Sequence, residues 1–588
     1  MQIQIPNQEN KLSQPNNGDF DGNIWATWNM DFISNPGAIR VSPQTSVVMS
    51  NLDSTYMVYP VQFVEGAFLD GTIRIWAICD GVVFYTSSTN VPSGGWTKDA
   101  TANTPTALDY RYSDGVEWNG SLIVSGLTAL SKLTAGTWTA SYKTGFTTAI
   151  PHPLGKGFNN LLLVGDYSAT YGAVVTSIDT SDNVYSNRLI FGKDFQVVWI
   201  RSSSNMIYVG CKNINGGRAK VFAWDGSAEN YNYDYKINGS ESFAGVIQNE
   251  VPYTINERGE LLALTGSAFT QIAKLPIFNT DNHLHTEARG FIPSVTRNGM
   301  TVQDNRIHIL LKAAYETAIG NTPTIAMENM LSGIWCYDPQ IGLHHRYSVT
   351  HDTGANIMDY GSPTIVAGGA LMTTDKLHGN MLIGCSLYIN AATTLQHEIL
   401  TIKNLETDTS AKLGYFITPK ISTQSVQENW QKAWLVIKQF LSANSKVKVK
   451  WRIVDRQILF GSNDYSTCTW SDADTFTTAE SWVNASAGDE VEIMTGEGSG
   501  LSATISGIIG TNVVDIAESV SGASGTLFAR VGNWTDCGTD INIQGQEFFK
   551  IPLAQNSTYI QFKVIIFAEG KEEVKKLIIK SDSQLPVV

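Results

Sequence analysis

The chain has 588 residues, of which 43% are hydrophobic and 16% are charged, and its net charge is −14. This length favours about two to four domains, and the acidic balance excludes DNA binding that depends on neutralised phosphates. A mean hydropathy of −0.08, with no apolar run of about 18 residues, excludes a membrane-spanning helix.

Residues 1–50 are predicted to form an N-terminal arm followed by the first strands. Residues 1–24 are rich in Asn, Gln and Gly, and they lack the basic and apolar regions of a secretory signal. Such a polar segment is expected to be disordered alone and to fold on a partner in an assembly. Alternating apolar residues on both sides of Asn35-Pro36-Gly37 then indicate two strands joined by a turn.

Residues 51–405 are predicted to form a β-propeller. The clearest unit runs from Trp118 to Trp138, with strands at Ser121–Ser125 and Ala129–Leu133 that follow an Asn119-Gly120 turn. Similar strand-turn-strand units, one of them a hairpin about Asp80-Gly81, recur at intervals of roughly 40–60 residues, near the period of propeller blades. Six or seven irregular blades fit this pattern. No helix of more than two turns is predicted, although residues 327–331 (MENML) could form one turn.

Longer strands after residue 406 predict a β-sandwich-like platform domain made of residues 406–461 and 544–588. Residues 462–543 interrupt it with shorter strands and Gly-rich turns, which predict a small inserted β-barrel. Because the insert lies between two strands of one domain, its two ends are expected to lie close together. The predicted fold is therefore all-β throughout.

A run of lysines stands out within the platform. Lys446, Lys448 and Lys450 alternate with apolar residues, so they are expected on one face of a strand. A solvated strand face is the simpler interpretation. The alternative is an electrostatic contact with an acidic neighbouring subunit.

The cysteines and histidines do not form a recognisable metal motif. None of the six cysteines has CxxC or Cys/His spacing, and a disulfide between Cys468 and Cys537 stays open. Two adjacent or alternating histidine pairs, His283/His285 and His344/His345, are expected at the surface or at a blade edge rather than on a metal, because no third ligand follows at a suitable spacing. The pair His351-Asp352 adds no such third ligand.

Other patterns with catalytic associations favour structural interpretations. A strand follows the GEGSG stretch at 496–500, and its acidic neighbours are Glu490, Glu492 and Glu497, whereas a phosphate site needs a helix N-terminus and a basic residue. Several aspartates are near predicted turns, where Asp is common: Asp109, Asp114, Asp166, Asp225 and Asp338. We predict no catalytic, cofactor-binding or metal-binding residue, and hence no enzyme.

Three stretches resemble tail proteins of bacteriophages. They are the head LSQPNNGDFDGNIWATWNMDFISNPGAIRVSP, the insert SAGDEVEIMTGEGSGLSATISGI with VGNWTDCG, and the ending YIQFKVIIFAEGKEEVKKLIIKSD. With a propeller, a platform and an inserted module, the chain resembles the nozzle (tail tubular protein B) class of short-tailed phages.

This resemblance implies a hexameric ring at the distal end of a virion tail. Platform domains would surround a channel through which double-stranded DNA passes without specific binding. Propellers would hold fibres or spikes, and an upstream adaptor would join the ring to the tail. The protein would be made in the host cytoplasm and assembled into the virion.

Two other functions remain open at this stage. One is a receptor- or glycan-binding propeller, with aromatic residues around Trp96, Trp118 and Trp138 stacking on sugars. The other is a propeller glycosidase, whose pair of carboxylates is defined by distance in space and not by sequence.

Overall fold

The structure is a computed structural model of the whole chain. It describes residues 2–5, 26–33, 38–50, 60–79, 82–86, 95–99, 113–148, 150–275, 293–313, 333–349, 365–373, 381–389, 394–403, 412–418, 421, 428–438, 445–452, 466–479, 482, 485, 487–495, 502–510, 512–520, 522–537, 541, 548–557, 560–569 and 572–583. Within these residues all regular structure is β, in antiparallel sheets. This confirms the predicted all-β class, and the same residues contain no helix that could cross a membrane.

Seven small sheets occupy the described residues between 45 and 402. Sheet 1 contains β6 (Gln62–Gly66), β7 (Arg74–Cys79), β8 (Val82–Thr86) and β9 (Trp96–Lys98). Sheet 2 contains β10 (Asp114–Trp118), β11 (Ser121–Ser125), β12 (Ala129–Thr134) and β13 (Thr137–Thr144). Sheet 3 contains β14 (Leu154–Lys156), β15 (Leu162–Ser168), β16 (Gly172–Ile178) and β17 (Val184–Gly192).

Sheets 4 to 7 follow in chain order. Sheet 4 contains β18 (Phe195–Ser202), β19 (Ile207–Asn213), β20 (Lys220–Trp224) and β21 (Tyr233–Lys236), and sheet 5 contains β22 (Ala244–Gln248), β23 (Val251–Ile255), β24 (Glu260–Thr265) and β25 (Ala268–Lys274). Sheet 6 contains β26 (Pro293–Ser294), β27 (Met300–Gln303), β28 (Arg306–Ala313), β29 (Gly333–Asp338) and β30 (Gly342–Tyr347). Sheet 7 contains β31 (Ile365–Thr373), β32 (Met381–Ile389) and β33 (Thr394–Ile402), with β5 (Thr45–Ser50).

Tight turns connect the strands within each sheet. In sheet 2, Trp118 pairs with Ser121 across the two residues Asn119 and Gly120, whose φ angles are 48° and 70°. Asn and Gly are favoured in such a turn because both positions need positive φ. The predicted turn and both strands of this unit are therefore confirmed, with the second strand one residue longer than predicted.

The seven sheets contact one another in a closed order. β6 contacts β10, and the contacts continue through β14, β18, β22, β27 and β31 back to β6. Seven apolar clusters accompany them, each with residues from one pair of neighbouring sheets. Each sheet therefore buries both faces against its neighbours.

Sheet 7 is completed by a strand from the N-terminal side. β5 is the outer strand of sheet 7, and Val47 lies opposite Leu400 on β33. Strands about 350 residues apart in the chain thus share one sheet.

Two further sheets share a second core, and we call this part of the molecule the platform. One sheet has the order β3 (Met30–Asp31), β4 (Ile39–Val41), β45 (Glu573–Ser583), β35 (Glu428–Lys438) and β43 (Phe548–Ser557), with β1 (Gln2–Ile5) also on β45; the other begins β2 (Ala26–Trp28), β34 (Lys412–Ile417), β44 (Gln561–Ala568) and β36 (Lys446–Arg452). Phe32, Phe416, Leu435 and Val564 are among the buried residues of this core. Strands that precede the seven small sheets and strands that follow them therefore pair in the platform.

The second platform sheet continues into a separate unit, which we call the insert. β42 (Thr526–Asp536) pairs with β36 and is followed by β37 (Ser466–Trp470), β38 (Thr475–Thr478), β41 (Val513–Ile516), β40 (Ser502–Ile509) and β39 (Asp489–Thr495). β39 pairs again with β42, so the order of these six strands closes on itself. Phe476, Trp482 and Val514 are buried in a core of the insert's own.

Candidate functional site

The first candidate site is a buried polar hub between the inner strands of the seven sheets. Asn298, before β27, donates from Nδ2 to the Val61 carbonyl at 2.9 Å and to Asp114 Oδ1 at 3.0 Å. Its Oδ1 accepts from an Arg201 NH2 group at 3.0 Å, and its backbone carbonyl accepts from the Leu371 N–H at 2.9 Å. The side chain of Asn298 thus contacts sheets 1, 2 and 4, and its backbone contacts sheet 7.

Asp114 and Arg201 extend the hub to the two remaining sheets. Asp114 Oδ2 accepts from the Leu154 N–H of sheet 3 at 2.9 Å, and Oδ1 accepts from the Gly115 N–H at 2.9 Å. Arg201 Nε donates to the Gly245 carbonyl of sheet 5 at 3.0 Å. Burial lowers the pKa of the Arg201 guanidinium, and the Asp114 carboxylate opposes that shift.

The hub is suited to holding sheets together rather than to acid–base chemistry. Both Asp114 oxygens already accept hydrogen bonds, and the carboxylate is 1% exposed. A retaining or inverting glycosidase needs two carboxyl groups that both reach the substrate. Asp114, the predicted aspartate found here, instead faces an amide and a guanidinium.

The other predicted aspartates form separate local contacts. Asp166 accepts from the N–H groups of Thr147 and Tyr167, and Asp338 binds Arg306 Nε at 2.7 Å. Asp225 accepts from N–H groups that follow it in a turn, which lowers its carboxyl pKa. The structure does not bring these three into one constellation with Asp114. Asp109 lies outside the described residues.

The tryptophans proposed to stack on sugars are mostly core residues. Trp118 is fully buried and its Nε1 donates to the Asn160 carbonyl at 2.8 Å. Trp138 is also buried and donates to Asp99 Oδ2 at 2.8 Å. Neither of these two buried indoles has a free face on which a sugar could stack. Trp96 is half-buried against sheet 1.

A second candidate site is the joint between sheet 6 and the platform. Asn29, between β2 and β3, donates from its backbone N–H to His345 Nδ1 at 3.0 Å and accepts the Ser348 N–H at Oδ1 at 3.0 Å. Its Nδ2 donates to the Leu413 carbonyl of β34 at 2.8 Å. Asn29 therefore links the ring of sheets to the platform through one side chain.

Two buried histidines lie behind this joint. His308 and His344 lie opposite Cys336 on its two neighbouring strands, so the three form a row. Burial, reinforced by the charge of Arg346, lowers the pKa of His308 well below its usual value and that of His344 to about 4. Burial also raises the pKa of the Cys336 thiol to about 11. These groups are neutral at pH 7.

The histidine pair differs from its prediction. His344 and His345 are both buried, so a surface pair is wrong, although β30 does lie at the edge of its sheet. The platform segment from Asn29 to Phe32 covers that edge, and the Phe32 and His344 rings meet edge to face at 5.5 Å. Among the described residues no three His, Cys, Asp or Glu side chains are arranged to hold a metal. His283, His285, His351 and Asp352 lie outside those residues, as do the proposed turn at Asp80-Gly81, residues 327–331 and the glycines at 496–500.

The third candidate site is the contact between the platform and the insert. Lys450 and Lys563, on adjacent strands, each bring Nζ to 3.3 Å from Glu490 Oε1 of the insert. Lys448 forms an ion pair with Glu518, whose Oε2 accepts the Thr504 N–H at 2.7 Å. We call these five charged residues the seam: Lys448, Lys450, Lys563, Glu490 and Glu518.

The solvated-face interpretation of the lysine run is wrong for Lys448 and Lys450, which are buried. The acidic partners that the structure gives them belong to the insert of the same chain. A contact with a neighbouring subunit stays a prediction. Alternation along β36 did place Lys448 and Lys450 on one face, because Val447 and Val449 point into the platform core. The sequence signal that was missed is the acidic residues of the insert. Cys468 and Cys537 pack in or against different cores, that of the insert and that of the platform.

Comparison with known proteins does not assign this chain to a family. No family model matches the chain, and no curated protein matches it. The extracellular domain of a hybrid two component system from B. thetaiotaomicron is similar over 80% of this chain and 47% of its own, with 11% identity and a TM-score of 0.40. A second structure of that extracellular domain is matched over 45% of its length, so the chain spans about half the length of these structures.

Two further solved structures are similar to part of the chain. The computationally designed Ika8 protein matches 62% of this chain and 100% of its own, with 11% identity and a TM-score of 0.35. AztD from Citrobacter koseri matches 47% of this chain and 73% of its own, with 13% identity and a TM-score of 0.29. With TM-scores below 0.5, these similarities do not identify the fold family or the function of this chain.

Proposed function

We propose that this chain is a structural component of a bacteriophage tail, in which identical copies form a nozzle ring that conducts DNA and anchors fibres or spikes. Within each copy, the seven sheets are the blades of a β-propeller, the platform is a β-sandwich-like domain, and the insert is a small β-barrel. The sequence resemblance suggests this role, and the way the chain is held together supports a structural role.

The observation that carries a structural role is the pairing of strands that are far apart in the chain. β5 pairs with β33 in sheet 7, β4 pairs with β45 in the platform, and the sheet contacts return from sheet 7 to sheet 1. Pairing between such distant segments resists the separation of the sheets. That property suits a tail component under mechanical load better than it suits a module that must open for a substrate.

The hub and the net charge bear on where DNA would pass. Asn298, Asp114 and Arg201 join the inner strands, so we place the conduit between copies and not along the axis of one propeller. The net charge of −14 limits phosphate binding, which would let DNA pass. A ring of this kind uses heterologous contacts related by rotation, and six copies are proposed.

Electron microscopy and native mass spectrometry test this function. We expect the purified protein, alone or with the virion proteins of its phage, to form closed rings with a central hole or to join a tail end. The upstream adaptor and the fibres or spikes are the expected partners. A stable monomer that never enters a virion would contradict the proposal.

A second candidate is a receptor- or glycan-binding propeller. Its support is a set of exposed tyrosines on sheets 3 and 4, because Tyr171, Tyr185 and Tyr233 are 46%, 47% and 59% exposed, and exposed aromatic rings can stack on sugars. Sugar binding by the monomer on a glycan array, lost in Tyr233→Ala, would favour this function. Unchanged binding in that variant would remove its support.

A further inference from the structure

We propose that the platform's lysine face is a docking surface for the insert, which can leave it and return while both cores stay folded. The surface consists of Lys448 and Lys450 on β36 and Lys563 on β44, and its occupant is the acidic edge of the insert around Glu490 and Glu518. This inference does not depend on the proposed tail function.

The first support is that the platform and the insert have separate cores. Buried apolar residues of the platform form one cluster and those of the insert form another, with no buried residue in common. The strand order of the insert also closes on itself through β39 and β42. Neither unit needs the other to cover its apolar residues.

The second support is the chemistry of the contact. The side chains of Lys450, Lys563 and Glu490 are 1%, 2% and 0% exposed, and one carboxylate faces two ammonium groups. Backbone pairing with β36 is made by the last residues of β42 and the segment that follows it, up to the bridge between Val447 and Ile541. This segment stays with the platform as the hinge, and the charged side chains are the contact that opens.

The third support is the energetics of such charges. Removing two ions from water costs about as much as their mutual attraction returns, so a buried ion pair adds little net stability. When the insert lifts away intact, water solvates the lysines and glutamates again. The seam thus fixes the orientation of the docked insert, and opening costs far less than unfolding.

Amine labelling of the intact protein tests this docking. A short pulse of an acetylating reagent, followed by peptide mass spectrometry, gives the modification rate of Lys448, Lys450 and Lys563. Lys156, whose side chain is 40% exposed, serves as the reference within the same molecule. Amide hydrogen exchange of Val513–Ile516, a core strand of the insert, reports unfolding.

We expect the seam lysines to react roughly tenfold faster in 1 M salt than in 0.1 M salt, because the Debye length falls from about 10 Å to about 3 Å. Lys448→Glu should raise the rates of Lys450 and Lys563 at low salt. The exchanged pair Lys448→Glu with Glu518→Lys should restore protection. In each case the amides of Val513–Ile516 should stay protected.

The matched control is Glu117→Lys, which reverses a charge of the same size, with the opposite sign, at an exposed ion pair with Lys156 and should leave the seam rates unchanged. The proposal is overturned if the seam lysines react only when Val513–Ile516 loses protection. It is also overturned if neither salt nor the substitutions change their rates.

Discussion

Single buried polar side chains connect separate parts of this molecule at several places. Asn298 joins four sheets at the hub, Asn29 joins sheet 6 to the platform, and Glu490 joins the platform to the insert. Each satisfies donors or acceptors that would otherwise be buried without a partner, which costs about 1–3 kcal/mol per group. Such residues fix how sheets are placed, whereas apolar contacts alone permit sliding.

The hub gives a prediction for Asn298→Ala. The substitution removes three side-chain hydrogen bonds and leaves Asp114 and Arg201 each with one partner fewer, so the free energy of unfolding should fall by about 3 kcal/mol. Urea unfolding followed by tryptophan fluorescence measures this change. Asn215→Ala is the control, because its bond to Asp194 is exposed and its loss should cost within about 0.5 kcal/mol. Equal effects of the two substitutions would show that the hub does not stabilise the ring.

The histidine row gives a prediction for acid stability. The folded pKa values of His308 and His344 lie below the unfolded value of about 6.5, so the unfolded chain binds more protons as pH falls. The free energy of unfolding is therefore unaffected by these histidines above about pH 6.5. It falls as the pH drops from 6.5 towards 4, by up to about 1.4 kcal/mol per pH unit for each histidine. The facing charged groups are Arg306, Arg346, Asp31 and Asp338.

Thermal unfolding between pH 7.5 and pH 5 tests this expectation with His308→Leu. Both ring nitrogens of His308 are buried with no hydrogen-bond partner among the described residues, so an apolar replacement should cost little at pH 7.5. The variant should lose less stability than the wild type on acidification. An unchanged slope against pH would refute the role of His308.

At the scale of elements, the middle strands of the ring are apolar on both faces. Every residue of β11 and β16 is buried, because each sheet packs between two neighbours. Alternating polar residues return on outer strands such as β17 and β21. This explains why continuous apolar runs, rather than strict alternation, mark the repeated units in the sequence.

Close packing between neighbouring sheets gives a prediction for Gly245→Ala. A Cβ atom at Gly245 of sheet 5 would lie 2.7 Å from the indole of Trp199 in sheet 4, and Trp199 is fixed by its bond to Ser242 Oγ at 2.9 Å. Overpacking of this kind costs about 1–3 kcal/mol, so the thermal midpoint should fall. Gly507→Ala is the control, because its nearest atom would be 3.6 Å away and no loss is expected. A fall of the same size in both would contradict the packing argument.

At the scale of the whole molecule, β5 joins the N-terminal side of the chain to sheet 7. This strand precedes sheet 1 in the chain but pairs in sheet 7, and Val47 packs against the cluster shared by sheets 6 and 7. The strand therefore completes sheet 7, and its loss exposes one edge of that sheet.

Val47→Asp tests the contribution of β5 to sheet 7, because burying a charge beside Leu400 should destabilise sheet 7 by about 2–3 kcal/mol. We expect the buried thiol of Cys385 in sheet 7 to react with a thiol reagent before that of Cys211 in sheet 4. Val184→Asp is the control, since Val184 is 45% exposed on the outer strand of sheet 3. If the two thiols react together in Val47→Asp, the ring does not open at β5.

The sequence by itself determined the features that depend on neighbouring residues. Alternation and apolar runs predicted strands, and the Asn119-Gly120 turn was predictable because few residues adopt positive φ at two successive positions. The placement of Lys448 and Lys450 on one strand face also followed from local periodicity. The recurring strand-turn-strand patterns were enough for the all-β class.

The tertiary structure alone decided what each face packs against. Lys450 is buried because Glu490 arrives from a strand 40 residues later, and β5 joins a sheet whose other strands lie more than 300 residues away. His344 and Trp118 are buried for the same reason, since elements distant in the chain cover them. Burial and pairing of this kind depend on contacts between segments that are far apart in the chain. Patterns among neighbouring residues do not show which of these segments meet.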